Sequence, residues 1–294
     1  MSFRLEMLQV ARVAPKLLGE SAELVERFLR ARQLPSGGFA DREGKPDLYY
    51  SVFGLEGLMA LQADPPWEAM RQWLTTFGDG EGLDFVHLGC LARCWASVGG
   101  DGLTELQREK LAQRMEAFRT PDGGYHQALG KQRATAYGCL LGWSLHQDLG
   151  REAPEETALI ACLEGLRAAD GAFSNERNQP FGLVPATAAA VSLLRHLGRP
   201  IPEGMDGWLR EQAHPEGGFR AFPGVPIPDL LSTAVALHAL DGLQAGWEDL
   251  REPCLDFIDS LWNAEGGFHG NWLDDELDCE YTYYGLLSLG HLAV

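Results

Sequence analysis

The stretch that decides the fold is RQLPSGGFADREGKPDLYYSVFGLEGLMAL, residues 32–61, in which a Gly-Gly-aromatic turn leads into an apolar segment. The turn recurs at 123–125, 217–219 and 266–268, with a Gly-Ala-Phe variant at 171–173. The first glycines are 86, 48, 46 and 49 residues apart, and the midpoint of the first step is Gly80, in a shortened copy without the aromatic residue. Six copies of a unit of about 45 residues indicate a repeated supersecondary structure.

Each unit contains two helical segments of different character. SAELVERFLRARQ and LTELQREKLAQRMEAF alternate charged and apolar residues at helical spacing, which predicts outer helices with one solvated face. YYSVFGLEGLMAL and YTYYGLLSLGHL are apolar on nearly all sides and predict buried inner helices. Asp or Thr before an inner segment suits the capping of a helix N-terminus. Glycine is expected just past the outer helix, because it adopts the left-handed conformation without steric cost.

Six helical hairpins can form an open superhelix or a closed double ring. Open arrays such as TPR and HEAT have periods of about 34 and about 40 to 47 residues, but they lack a Gly-Gly-aromatic turn. Apolar inner helices suit a ring that surrounds a cavity, with the last repeat packed against the first. We therefore predict an all-α fold, an α/α toroid (α6/α6 barrel) that forms a single domain over residues 1–294.

Composition excludes several classes of partner. The chain has 42 acidic and 24 basic residues and a formal net charge of -18, so we expect no nucleic-acid partner. Its six cysteines have irregular spacing and suggest neither a disulfide framework nor paired metal knuckles. No apolar run approaches the ~18 residues that a membrane span needs, and the N-terminal segment lacks a signal-peptide pattern. We expect a cytoplasmic protein without a membrane span.

The repeat resembles that of a known group of proteins. Gly-Gly-Phe followed by Asp-x-x-Tyr-Thr/Ser and an apolar helix is similar to the repeat of protein prenyltransferase β subunits and of squalene and terpene cyclases, whose fold is an α/α toroid. The resemblance extends from about Ala22 to Val294. The first unit, with RQLPSGG, most resembles the type II protein geranylgeranyltransferase β subunit. The resemblance implies an isoprenoid diphosphate as ligand, zinc as cofactor, a protein or peptide acceptor and an α subunit encoded elsewhere.

The resemblance also implies a zinc site. The zinc repeat of that β subunit reads Asp-x-Cys-Tyr, which places the Asp ligand at Asp47 and the Tyr at Tyr50, but Tyr49 occupies the Cys position. The next repeat supplies a His, which falls on His87. Cys90 lies one helical turn further and offers a sulfur donor on the same face. The alternative interpretation is a polar helix cap beside a buried thiol.

Two further sets of charged residues are candidates for diphosphate binding. The resemblance assigns Arg42 and Lys45 to the diphosphate, and guanidinium and ammonium groups suit that anion. Asp274, Asp275 and Asp278 form DDxxD, with which class I terpene synthases bind diphosphate through magnesium, and clustered carboxylates suit Mg²⁺. Solvated loop charges and helix capping are the alternatives. A class II DxDD motif is absent from the sequence.

Aromatic residues at or near the starts of the inner helices predict an apolar funnel. Such a pocket suits an isoprenoid chain, and aromatic faces stabilise an allylic cation. We expect about half of these residues to pack between helices instead. The predicted lining residues are Tyr49, Tyr50, Phe53, Tyr137, Trp143, Phe181, Tyr281 and Tyr284. At the mouth we assign catalytic roles to Asp275, Asp278, Tyr50 and Tyr281.

Three functions remain open. The leading hypothesis is a prenyltransferase-like isoprenoid-diphosphate enzyme, in which any zinc keeps an acceptor thiolate deprotonated. The absence of the Cys ligand argues against ordinary protein-thiol prenylation. The second hypothesis is a terpene cyclase that uses magnesium at the DDELD loop, and the third is a non-catalytic toroid that binds a lipid or a peptide. A carbohydrate-active α6/α6 barrel fits the acidity of the chain but not its repeat.

Overall fold

The computed structural model describes residues 2–99 and 102–293, and helices dominate it. Two helices precede the repeats, α1 (Phe3–Ala11) and α2 (Pro15–Leu18). The outer helices are α3 (Ala22–Ala31), α5 (Trp67–Thr75), α7 (Glu105–Glu116), α9 (Glu156–Glu164), α11 (Met205–Glu211) and α13 (Arg251–Ser260). The inner helices are α4 (Leu48–Ala60), α6 (Phe85–Val98), α8 (Ala136–Asp148), α10 (Val184–His196), α12 (Leu230–Gly242) and α14 (Cys279–Leu292).

The inner helices form a closed ring. Each inner helix packs against the next one in the chain, and α14 packs against α4, which closes the ring. Five outer helices pack against the inner helix of their own repeat, whereas α9 packs against α8 of the preceding repeat. The predicted α/α toroid is therefore confirmed. None of the helices in the two described ranges combines the length and the apolar character that a membrane crossing requires.

The repeated glycines lie in tight turns, several residues beyond the ends of the outer helices. Helix α11 ends at Glu211, and the turn follows at His214, whose N–H donates to the carbonyl of Gly218 at 2.8 Å. Gly217 within this turn has a φ of +93°. The expectation that glycine directly follows the helix was therefore wrong, although the positive φ is as predicted. The corresponding residues with positive φ are Gly37, Gly80, Gly123, Gly171 and Gly266.

The aromatic residue of the turn at 217–219 joins that turn to the following inner helix, α12. Phe219 is fully buried, and its N–H donates to the hydroxyl oxygen of Thr233 at 2.9 Å. That hydroxyl in turn donates to the carbonyl of Asp229 at 2.7 Å. The carboxylate of Asp229 accepts from the N–H of Ser232 at 2.7 Å and so caps α12, as predicted. In the first repeat, β1 (Phe39–Ala40) and β2 (Pro46–Asp47) pair antiparallel across the same loop.

Helix α1 closes one end of the ring. It packs against α14, α4 and α8. The Arg4 guanidinium donates to the carbonyl of Ala96 at 3.3 Å, and that of Arg12 donates to the carbonyl of Met59 at 3.4 Å. Both carbonyls lie near the C-terminal ends of inner helices, so α1 covers that end and leaves the end with the helix N-termini open. The repeat pattern does not predict this helix.

One carboxylate holds α1 against the ring. Glu6 of α1 pairs with Arg195 and with the Nε2 of His196, which lies 3.0 Å from the carboxylate. Burial would raise the pKa of Glu6, but the hydrogen bonds from His196 and Arg195 outweigh it and lower the pKa to about 2. Since the pKa in the folded state is below the ordinary value of 4.5, the interaction contributes stability above about pH 4.5 and loses it as the pH falls toward 2.

We expect Gly217→Ala to lower the free energy of unfolding more than Gly224→Ala does. Both glycines have positive φ, +93° and +87°, so each alanine pays about 1–2 kcal/mol for the left-handed conformation. A Cβ at position 217 would lie 1.8 Å from the carbonyl oxygen of Pro253, whereas nothing lies within 4 Å of one at position 224. Pro253 belongs to α13, so the alanine at position 217 must displace that helix. This displacement should cost about 1–3 kcal/mol beyond the loss in Gly224→Ala. Urea unfolding measures the difference, and equal losses would contradict this role of the turn.

We expect Glu6→Gln to destabilise the protein by about 1–3 kcal/mol at pH 7, because a partly buried charge-assisted pairing is lost. The loss relative to wild type should shrink as the pH falls from about 4.5 toward 2, where the wild-type carboxylate becomes protonated. Urea unfolding at pH 7, 5 and 3 measures this trend. The exposed Glu23 provides the control substitution Glu23→Gln. A Glu6→Gln effect that stays constant over this pH range would exclude the assigned ion pair.

Candidate isoprenoid site

The ring encloses a cavity of about 340 Å³, within the size range of small-molecule sites (roughly 300–1,000 Å³). Corresponding positions of the inner helices line it in layers. The second residues of the first five inner helices form the layer nearest the mouth: Tyr49, Val86, Tyr137, Pro185 and Leu231. Fifth and sixth residues form an apolar layer below: Val52, Phe53, Gly89, Cys90, Leu140, Leu141, Ala188, Ala189, Val235 and Tyr284. Phe3 and Met7 of α1 border the far end.

The predicted aromatic residues divide between the cavity and its surroundings. Tyr49, Phe53, Tyr137 and Tyr284 lie in the wall of the cavity. Trp143 does not line it but packs beside His196, with ring centroids 5.6 Å apart. Phe181 lies on the exposed rim, stacked on Phe222 with ring centroids 6.0 Å apart. Tyr50 and Tyr281 lie outside the lining, near Arg42 at the mouth.

The mouth contains an ion cluster that joins the last repeat to the first. Arg42, in the loop between β1 and β2, donates from Nε to Asp278 at 2.8 Å and from Nη2 to Asp274 at 3.0 Å. Burial alone would lower the pKa of Arg42, but these carboxylates raise it. Asp278 also accepts from the N–H of Tyr281 at 2.9 Å and caps α14. Both carboxylates therefore already have a cationic partner.

The other predicted diphosphate ligands lie apart from this cluster. Lys45 pairs with Glu43 at 2.6 Å, and its side chain is 71% exposed. Asp275 is exposed to solvent. The structure thus brings Arg42, Asp274 and Asp278 together but not Lys45 and Asp275.

A second polar cluster links the starts of α4 and α6. The Nε2 of His87 lies 3.0 Å from Asp47, and its Nδ1 lies 2.9 Å from Asp84. The hydrogen bond with Asp47 is the main cause that raises the pKa of His87 to about 9, with a further contribution from Asp84. Asp47 and Asp84 also cap α4 and α6 by accepting from the N–H groups of Tyr50 and His87, respectively. At neutral pH this cluster contains a protonated imidazole between two carboxylates.

Glu280 is a site residue that the sequence analysis did not identify. The phenol of Tyr49 donates to its carboxylate, and burial raises the pKa of Glu280 to about 7. Glu280 is the second residue of α14 and contacts the layer nearest the mouth through Tyr49. One sequence feature could have identified Glu280: it is a single acidic residue in an inner helix that is otherwise mostly apolar.

These residues do not fit a zinc ion. Only Asp47 and His87 of the predicted donors approach each other, while Tyr49 is turned toward Glu280 and burial raises the pKa of its phenol. Burial also raises the pKa of the Cys90 thiol, whereas zinc binds the thiolate. Across residues 2–99 and 102–293, no three His, Cys, Asp or Glu side chains gather into a group that suits a metal ion.

The predicted magnesium ligands do not form a cation site either. Mg²⁺ takes oxygen ligands in near-octahedral geometry. Arg42 occupies the position between Asp274 and Asp278 where such a cation would be expected, and the exposed Asp275 does not take part in this pairing.

Comparison with protein families identifies the fold family. Residues 10–87 and 187–293 match the model of the prenyltransferase alpha-alpha toroid domain. The chain belongs to this family. No curated protein sequence matches this toroid.

Several solved structures share the toroid fold. Candida albicans protein geranylgeranyltransferase-I, complexed with GGPP, has a TM-score of 0.70 at 15% identity, over 91% of this chain and 90% of that chain. The type II terpene cyclase MstE from Scytonema, with its product merosterolic acid A, has a TM-score of 0.65 at 13% identity, over 95% and 97%. The GH76A alpha-1,6-mannanase from Salegentibacter has a TM-score of 0.60 at 13% identity, over 94% and 98%. At these identities the similarity shows the fold alone.

We expect Tyr49→Cys to create a zinc site in this toroid. The substitution replaces the phenol by a thiol next to Asp47 and His87, at the position where the resemblance places a zinc ligand, and three donors suffice for a zinc site that also holds water. Tyr50→Cys is the matched control. Zinc per chain, measured by atomic emission after dialysis, should be close to one for Tyr49→Cys and near zero for wild type and Tyr50→Cys. Stoichiometric zinc in the wild type would contradict this interpretation.

Proposed function

We propose that this protein is a prenyltransferase-like isoprenoid-diphosphate enzyme that binds its prenyl chain in the central cavity. The observation that carries the proposal is the cavity itself, with an aromatic mouth, an apolar middle layer and an end covered by α1. Tyr49 and Tyr137 lie where the chain would enter, and Tyr284 lies in the layer below them. Burial of apolar surface supplies the binding free energy at about 25 cal/mol per Å².

In this proposal the diphosphate lies at the mouth beside Arg42. The Nε and Nη2 of Arg42 donate to carboxylates, and a guanidinium has five N–H groups in all, so others remain to bind phosphate oxygens. When the bond from the first prenyl carbon to oxygen breaks, the diphosphate leaves with the electron pair. The resulting allylic cation faces the rings of Tyr49 and Tyr284, whose π electrons stabilise positive charge.

The acceptor is then activated without zinc. Glu280, hydrogen-bonded to Tyr49, lies between the mouth cluster and the aromatic layer and is placed to accept the proton that an attacking nucleophile releases. The acceptor is thus a group that a carboxylate can deprotonate, on a small molecule, a peptide or a protein. No step in this scheme requires a metal ion.

A second candidate is an enzyme or binding protein for an uncharged isoprenoid, such as a terpene cyclase. The acidic character of the mouth favours it, because Asp274 and Asp278 already neutralise Arg42 and would repel a diphosphate. In the comparison structures, MstE is also seen with geranylgeranyl dihydroxybenzoate as its substrate. A non-catalytic lipid- or peptide-binding toroid would share the cavity but show no turnover.

Calorimetric titration with geranylgeranyl diphosphate and with geranylgeraniol separates these functions. We expect Arg42→Gln to weaken binding of the diphosphate about tenfold or more, since a charge-assisted hydrogen bond is worth about 1.5–3 kcal/mol. Binding of geranylgeraniol should not change. Arg30→Gln, on the outer helix α3, is the control for loss of a positive charge.

The outcomes point to different functions. Equal affinities for the two ligands, both insensitive to Arg42→Gln, would favour the uncharged isoprenoid. Binding of neither ligand would refute an isoprenoid function. Thermal unfolding of Arg42→Gln shows whether the ring remains folded, because Arg42 also joins the first and last repeats.

A further inference from the structure

A third layer of the cavity wall is polar. The ninth residue of each inner helix lies about two turns below the helix start, or roughly 12 Å, at 1.5 Å per residue. Five of these six positions carry a polar or charged side chain, and the sixth is apolar. The residues are Glu56, Arg93, Ser144, Ser192, His238 and Leu287. Arg93, Ser144, Ser192 and His238 line the cavity. The polar layer therefore follows the apolar one toward α1.

The charged members of the polar layer form buried pairs. Arg93 donates from Nε to Glu56 at 2.8 Å, and the Glu56 side chain is 0% exposed. Asp148, one turn below Ser144 on α8, also lines the cavity, with a side chain only 6% exposed. The Nε of Arg4 lies 3.7 Å from Asp148, which is too long for a hydrogen bond. A contact of this length leaves room for another polar group to bond both partners.

Other members of the polar layer have atoms without partners. The hydroxyl of Ser144 and the Nε of Arg4 are buried without a hydrogen bond. The Nε2 of His238 also makes no hydrogen bond, but it lies 3.5 Å from the Glu6 carboxylate. A buried polar atom without a partner costs about 1–3 kcal/mol. Because these unpaired atoms reduce stability, we expect them to form hydrogen bonds with a ligand that enters the cavity.

The charges of this region indicate what that partner is. The two cations, Arg4 and Arg93, are balanced by two carboxylates, Glu56 and Asp148. Another ionic group would disturb this balance, so the partner is neutral. Asp148 can only accept when ionised, whereas the free N–H groups of Arg93 can only donate. A hydroxyl does both, while a carbonyl oxygen offers nothing to Asp148.

We propose that the ligand of this cavity is an isoprenoid with a hydroxyl group at the end remote from the mouth, and that Ser144, Asp148 and Arg93 bind this hydroxyl. The proposal rests on the proposed function, since it assumes an isoprenoid chain in the cavity, and it names the substrate class. A reaction that oxygenates the chain terminus must then precede this protein. A plain prenyl chain would leave the polar layer unsatisfied.

Calorimetric titration tests the proposal with geranylgeranyl diphosphate and its terminally hydroxylated analogue. We expect wild-type protein to bind the hydroxylated analogue about tenfold more tightly, which corresponds to one hydrogen bond with a charged partner. Ser144→Ala and Asp148→Asn should each reduce this preference to less than threefold. Leu141→Ala, in the apolar layer one turn nearer the mouth, is the matched control. This substitution should weaken the binding of both ligands by the same factor and leave the preference for the hydroxylated analogue unchanged.

The results separate failure of this inference from failure of the proposed function. If plain geranylgeranyl diphosphate binds and the hydroxyl gives no gain in affinity, the inference is refuted and the proposed function stands. A preference that persists in both Ser144→Ala and Asp148→Asn also refutes the assigned hydroxyl site. If neither ligand binds to folded wild-type protein, both proposals fail.

Discussion

Closure of the inner ring is the constraint on which the rest of the structure depends. Helix α14 packs against α4, and Arg42 of the first repeat binds Asp274 and Asp278 of the last one. Without this contact, the inner helices would expose their apolar faces and the cavity would have no wall on that side. The same contact assembles the candidate site, because Tyr49 and Glu280 meet only across the closed joint.

The residues at the mouth combine a structural and an electrostatic role. Asp47, Asp84 and Asp278 each cap an inner helix with one carboxylate oxygen, and Asp47 and Asp278 direct their second oxygen to His87 and Arg42. A helix N-terminus attracts an anion, so capping places acidic groups around the opening. Because the His87 imidazole is paired with two of these carboxylates, the family resemblance to a zinc site extends to the positions of the residues but not to their chemistry.

The repeat in the sequence predicted the fold, whereas much of the site depends on contacts between repeats. Glycine spacing and the alternation of outer and inner helices led to the toroid, and Asp before the inner helices correctly predicted their caps. The ligand set implied by resemblance missed Glu280 and Arg93, because the partners Tyr49 and Glu56 are more than thirty positions away along the chain. The available signal was a lone charge within an apolar helix, as in FGLEGLMAL and CLARCW.

Helix α1 has a consequence for how this protein reaches its native state. It precedes all the repeats in the chain, yet it packs against α14 of the sixth repeat, where the backbone of Val10 lies against Gly290. Helix α1 therefore has no complete binding surface until α14 has been made. Contacts between residues so distant in sequence carry a large loop-closure entropy and slow the search for the native state. The end of the cavity that α1 covers is therefore complete only after α14 has been made.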